Sequence, residues 1–159
     1  MTQKIPTRNA TPAFVEGIKI VSNQDESRTV DVATGLVRLQ YYESILQDSV
    51  RAVVIYGDSG SSIDDKTVID GLPMVGQEKV RVKFTDNNEN TIDIELFVNK
   101  ITPFFDDTTR SGVAIDLASK EFIMNEKVRV ARRFDGKISE HVKKILEEVL
   151  KTEKDLDIE

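Results

Sequence analysis

Between Lys79 and Ile101 the chain reads KVRVKFTDNNENTIDIELFVNKI, and apolar and polar residues alternate through it. Val80, Val82 and Phe84 alternate with Lys79, Arg81 and Lys83. After a polar break, Ile92, Ile94, Leu96 and Val98 alternate with Thr91, Asp93 and Glu95. A period of two predicts strands with one buried and one wet face, and two such runs around a break predict a β-hairpin. Placing Phe84 opposite Ile92 sets Val82 opposite Ile94 and Val80 opposite Leu96 on one face. The same register sets Lys83 opposite Asp93 and Arg81 opposite Glu95 on the other. A slip of one residue would bury the charges, so the register is well specified. Opposed charge pairs of this kind contribute about 0.2–1 kcal/mol each. The tip, Asp86 to Asn90, is made of turn formers.

The rest of the chain is punctuated into short elements. Residues 1–12 are polar with two prolines and predict a flexible arm. Phe14 to Ser22 predicts a strand in which Gly17 marks a bulge or bend. Thr29 to Thr34 predicts a strand with Val30 and Val32 inward, broken by Gly35. Leu36 to Tyr42 predicts another, with Val37, Leu39 and Tyr41 on one face. Val50 to Tyr56 is apolar on both faces at its far end, the pattern of a central strand covered on both sides. Gly57 to Ser62 reads as an exposed loop. Asp64 to Leu72 predicts one or two helical turns, with Gly71 as a left-handed stop and Pro73 preventing continuation. Pro103 to Gly112 reads as a longer connection, and Val113 to Ala118 as a strand with Val113, Ile115 and Leu117 on one face. Ser119 is placed to cap a short helix holding Phe122, Ile123 and Glu126, after which Val128 and Val130 return to extended chain. Ser139 to Lys151 predicts an amphipathic helix: Val142, Ile145, Leu146 and Val149 form one stripe, Ser139 caps it and Glu140 favours its positive end. The tail, Thr152 to Glu159, is charged and has no stop signal of its own.

Many short strands with few, late helices predict a mainly β protein. The expected fold is a small antiparallel β-barrel or sandwich with one or two short helices and a C-terminal amphipathic helix. The expected division is an arm over 1–12, a barrel over 13–136, and a helix with tail over 137–159. A length of 159 residues fits one such domain.

Charge and composition remove several function classes. The net charge of −6 argues against a nucleic-acid binder held by a basic field, and favours solubility as the reason for the charge. With no cysteine, the chain has no disulfide framework, thiolate nucleophile or zinc–thiolate site. No apolar run approaches the roughly 18 residues of a membrane span. The opening MTQKIPTRN has no signal-peptide apolar core, so folding in a reducing cytoplasm is expected. The low aromatic share of 6% and the lack of tryptophan disfavour a free-standing module for glycans.

Candidate chemistry is sparse. Gly57-Asp58-Ser59-Gly60 matches the serine loop of trypsin-like proteases, and Asp58-Ser59-Gly60 after an apolar strand matches the aspartic-protease signature. The first needs a histidine and an orienting carboxylate, in the order His, Asp, Ser; the only histidine here, His141, follows the serine. The second needs another copy of the motif so that two carboxylates share a proton, and Asp106-Asp107-Thr108-Thr109 does not supply it. The bland reading is a turn after a strand. Asp86, Asn88 and Asn90 occupy the first three ligand positions of a calcium loop. Phe97 stands where the bidentate glutamate belongs, which favours a hairpin tip. Asp64 and Asp65 are expected to be solvated, His141 to lie at the surface, Arg129, Arg132 and Arg133 to form a wet basic face, and Tyr41 and Tyr42 to serve core and interface respectively. No catalytic, metal or cofactor-binding residue is assigned, and no cofactor is expected.

Several blocks together resemble one family. They are YYESILQDSVRAVVIYGDSG (Tyr41 to Gly60), IDGLPMVGQEKVRV (Ile69 to Val82), LASKEFIMNEKVRVARRFDGKISEHVKKIL (Leu117 to Leu146) and the tail KTEKDLDIE. They resemble the N-terminal, tail-tube-like domain of the baseplate central-hub protein of T-even-like contractile-tailed bacteriophages. In that family an "ESIL" segment leads into an apolar strand, a "GLP" stretch opens the next hairpin, and a helix of the ISDSVKKIL type begins the following region. The resemblance spans roughly Val37 to Glu159; the first thirty or so residues match loosely. It implies a virion structural protein without enzymatic activity, a homotrimer whose barrels imitate the six-fold tube. Its implied partners are itself, the tail tube protein, the central spike protein and other baseplate proteins. No specific nucleic-acid binding is implied, although DNA passes through such a channel, and no membrane. Relatives continue beyond the position of Glu159, so a following domain is expected. The hub of a related contractile injection or secretion machine shares this architecture and stands as the alternative, with a protease using the GDSG loop behind it. The charged hairpin face (Arg81, Lys83, Asp93, Glu95) is expected to lie toward a channel or a partner.

Overall fold

The computed structural model describes residues 13–60, 63–107, 110–152 and 154–157. Its body is one curled, seven-stranded antiparallel sheet: β1 (Phe14–Val21), β2 (Thr29–Asp31), β3 (Leu36–Tyr42), β4 (Arg51–Asp58), β5 (Lys79–Thr85), β6 (Thr91–Asp107) and β7 (Arg110–Ala118). The strand order is β2-β1-β5-β6-β7-β4-β3. The fold is mainly β and barrel-like, as the strand pattern predicts. Three short helices follow the pattern too: α1 (Val68–Gly71), α2 (Lys120–Lys127) and α3 (Ile138–Lys144), the last continuing into a π turn, Ile145–Val149.

The curl follows from connectivity. Laid flat, the end strands β2 and β3 would lie roughly 29 Å apart at about 4.8 Å per strand. They are joined only by Val32 and a 3₁₀ turn, Ala33–Gly35, and so short a link reaches at most about 18 Å. The sheet therefore bends until its two edges approach. Tyr41 of β3 then meets Phe84 of β5 edge to face across the interior, with ring centroids 5.5 Å apart. The bend is made at β6, whose first half pairs with β5 and whose second half pairs with β7. Phe97 is opposite both Lys79 and Ala118, and bulges at Val98/Lys100 and Pro103/Phe105 turn the strand between them.

The interior is filled by the inward residues of each strand, among them Ile18, Ile20, Val54, Val82, Leu96 and Ile115, all essentially inaccessible. The hairpin has the register derived from its pattern, with Phe84 opposite Ile92, Val82 opposite Ile94 and Val80 opposite Leu96. Gly17 sits at a bulge between Val15 and Gly17.

Other expectations are corrected. In β3 a bulge between Leu36 and Arg38 shifts the phase by one residue, so Leu36, Leu39 and Tyr41 pack against the core and Val37 is 71% exposed. β4 buries one face, through Ala52, Val54, Tyr56 and Asp58, while Val53 and Ile55 are only half-buried. Gly71 is a residue of α1 rather than a left-handed stop; it is needed because a Cβ there would stand 2.8 Å from Ile63 Cβ. Pro103 to Gly112 is no loose connection, since β6 and β7 run on through it. Phe104 and Phe105 pack edge to face with each other, in the space that a Gly112 side chain would take. Ser119 does stand at the N-cap of α2, without a side-chain cap bond. Lys137 rather than Ser139 precedes α3. The C-terminal helix stops where Lys151 adopts φ 51 and Thr152 N–H bonds the Leu146 carbonyl at 3.0 Å. A lysine in that conformation leaves no mark in a sequence, where glycine or asparagine is sought. The arm expected over residues 1–12 lies outside the described residues.

Candidate interaction surface

The outer face of β1, β5 and β6 is charged. Arg81, Lys83, Asp93 and Glu95 all project from it, away from the packed interior. The opposed partners expected from the register are not the ones that pair. Arg81 forms a two-pronged bond to Asp93, 2.7 Å for each nitrogen, and Lys79 bonds Glu95 at 3.3 Å. Each is a diagonal contact, one rung from the direct opposite, which the twist of adjacent strands brings closer. Lys83 turns the other way and pairs with Glu16 of β1. Hydrogen bonding from Arg81 holds the Asp93 carboxyl below its ordinary range, and hydrogen bonding from Lys83 does the same for Glu16. In the middle lies a dent of about 320 Å³ bordered by Glu16, Gly17, Lys19, Arg81, Lys83 and Asp93.

The GDSG segment is built differently from either protease expectation. Gly57 and Asp58 still belong to β4, and Asp58 is 5% exposed. Its carboxylate accepts the Val68 N–H at the start of α1 and the Gly60 N–H at 3.0 Å. Asp58 thus anchors a helix and a turn. Burial, followed by the nearby Asp58 charge, pushes the Tyr56 hydroxyl far above its usual range, and among the described residues that hydroxyl has no hydrogen-bond partner. His141 lies on α3, its ring tilted against Phe134 with centroids 5.0 Å apart, and its Nε2 likewise has no hydrogen-bond partner among the described residues. The side chains of Asp106 and Asp107 lie outside the described residues.

The other candidates resolve into local structure. Asp86 accepts the backbone N–H groups of Asn88 (2.7 Å) and Asn90 (2.9 Å) and the Asn90 side-chain amide (3.0 Å), closing the hairpin tip on itself. Asp64 pairs with Arg28 at 2.5 Å. Arg132 and Arg133 pair with Glu148 and Asp135, and Arg132 also lies over Phe134. Among the described residues no group of three or more His, Asp or Glu side chains is placed to hold a metal ion. Among the described residues no helix is long and apolar enough to cross a membrane.

Sequence reasoning missed Glu78. It is fully buried, and its carboxylate accepts the N–H groups of Val75 (2.7 Å) and Gly76 (3.0 and 3.1 Å), tying down the turn before β5. Only its place two residues after Gly76 hinted at this. Sequence reasoning also missed the apolar side chains that stand in solvent. Ile45 is 101% and Leu46 91% exposed on the β3–β4 loop, beside the half-exposed Tyr42. The strand they follow, β3, pairs with β4 alone.

Comparison of the sequence with models of known families, and with curated protein sequences, returns no match.

Proposed function

We propose that this chain is the tube-like barrel domain of a phage tail baseplate hub, a structural part that joins the tail tube to the central spike. It acts by shape and self-association rather than by catalysis. Two independent supports meet in this reading. The sequence blocks from Tyr41 to Leu146 resemble that family. The observation that carries it is the curled antiparallel sheet whose terminal strand β3 keeps a free edge, next to apolar side chains in solvent. A free edge invites pairing with another chain unless it is short, charged or covered, and a unit built to assemble has use for one. In this reading the protein is a homotrimer whose partners are the tail tube protein, the spike and other baseplate proteins, and its place is the virion.

Solution mass combined with electron microscopy of assembled tails tests the reading. A trimer located at the tube–spike junction is expected. A stable monomer that never associates with tails would overturn it.

A further inference from the structure

Three buried polar side chains gather at one end of the sheet interior, where β4 pairs with β7. Tyr56 stands opposite Val113, and Asp58 stands opposite Ser111. All four residues are buried, so they share the inward face over two consecutive rungs of the ladder. Tyr56 and Ser111 are therefore diagonal neighbours. Such neighbours lie about 7–8 Å apart at the backbone, within reach of an aromatic side chain. The Tyr56 hydroxyl is close enough to Asp58 for that charge to act on it.

The hydrogen bonding of this cluster is uneven. Asp58 accepts the Val68 and Gly60 N–H groups. The Tyr56 hydroxyl and Ser111 Oγ have no hydrogen-bond partner among the described residues. Each hydroxyl has one proton to donate. Burial and the Asp58 charge hold the phenol in its protonated form, so Tyr56 is a donor that needs an acceptor. A buried hydroxyl left unbonded costs its full desolvation. Protein interiors meet this need with water, at about one buried molecule per 27 residues, each joined to roughly three polar groups. Other occupants fit the cluster less well. Asp58 repels an anion. Calcium takes about six to eight oxygen ligands, several from carboxylates, and no group of three or more acidic or histidine side chains is placed to hold a metal ion among the described residues.

From this geometry we infer that Tyr56 and Ser111 hold one internal water molecule between β4 and β7, beside the Asp58 carboxylate. The water accepts the protons of both hydroxyls and donates one of its own to Asp58, since a carboxylate accepts several bonds at once. That gives it three bonds and leaves neither hydroxyl unbonded. It also ties β7 to the carboxylate that anchors α1 and the Gly60 turn. The inference is independent of the hub reading and holds for a monomer or an assembly alike.

The test is a crystal structure of the full chain that resolves ordered water, together with melting midpoints of Tyr56→Phe, Ser111→Ala and the double variant. A water within about 3.2 Å of both hydroxyls is expected. Each single variant takes one bond from that water, so each should melt below the parent. The double variant should lose less than the sum of the two, because the groups act through one shared molecule. A hydroxyl that is truly unbonded predicts the opposite sign: Tyr56→Phe would remove a buried cost and melt above the parent. That result would overturn the inference. So would additive losses, a structure in which either hydroxyl bonds a protein group, or one in which no water touches both.

Discussion

Gly35 and Gly57 meet where the chain crosses from one terminal strand to the other. A Cβ on Gly35 would stand 2.1 Å from the Gly57 carbonyl oxygen, and backbone has no alternative rotamer. A Cβ on Gly57 would meet nothing within 4 Å. Gly35→Ala should therefore cost roughly 3 kcal/mol or more, and Gly57→Ala should stay within about 0.5 kcal/mol. Urea midpoints at unchanged slope would measure both. Asp58 and Glu78 make a second residue-scale case. Replacing either by alanine leaves buried N–H groups without an acceptor, and each should lose about 1–3 kcal/mol of stability; equal stability of Asp58→Ala and parent in the same titration would refute the anchoring role. None of this was legible beforehand. Gly35 shows in the sequence as a strand breaker, and a breaker looks the same as a close approach until its neighbour is known. The GDSG letters favour a turn over two weak protease matches, yet they do not show the anchoring role, because the Val68 N–H that Asp58 accepts lies ten positions along the chain.

At the scale of elements, the β5–β6 hairpin was the most legible part. Its buried and wet faces each demanded the same register, so the pairing of Val82 with Ile94 followed from the pattern alone. The ion pairs across it did not, because twist selects the diagonal partner and a one-dimensional pattern carries no twist. The phase of β3 was missed for a related reason: a bulge costs one residue and is invisible where apolar residues stand at both Leu36 and Val37. The carboxylates on and beside the hairpin also set its acid response. Asp93, Glu16 and Asp86 all lie below their ordinary range, each chiefly through a side-chain hydrogen bond, from Arg81, Lys83 and Asn90 respectively. A carboxyl depressed by folding contributes stability above its unfolded value, and that contribution is lost as pH falls through the folded one. Stability should thus fall below about pH 4, where unfolded carboxyls begin to protonate. Salt separates the causes, since at about 0.5 M the exposed ion pairs are largely screened. The Asp86 loop bonds should survive that screening, so Asp86→Ala should flatten the acid limb in high salt as well as low. An acid limb identical in parent and variant would remove this account of the tip.

For the whole molecule, alternation predicted a mainly β, barrel-like body, but not the order in which seven strands line up. That order depends on β6 serving two halves of the sheet, and on four residues, Val32 to Gly35, linking its opposite edges. Such long-range facts are spread over the chain and have no local signature. The C-terminal helix raises the converse question, of what the barrel needs. Its apolar stripe implied a docking face, yet no side chain of α3 or of the π turn is buried among the described residues. Its described links run to α2 and to the segment that follows α2: Thr152 donates to Glu121 at 2.7 Å, Lys154 pairs with the same carboxylate at 3.4 Å, Glu148 pairs with Arg132 and His141 lies against Phe134. The sheet interior, by contrast, is closed by its own strands together with Val68, Leu72 and Met74 of α1 and the residues after it, and no described residue of 137–159 belongs to that core. Removing residues 137–159 should then leave a cooperatively folding barrel with a denaturation midpoint close to that of the full chain. Hydrogen exchange would speed up in α2, which loses its latch, and stay slow in β5 and β6. Loss of protection in β5 and β6 would show instead that the helix is a structural part of the barrel, because those two strands lie in the middle of the strand order and are exposed by collapse of the whole sheet.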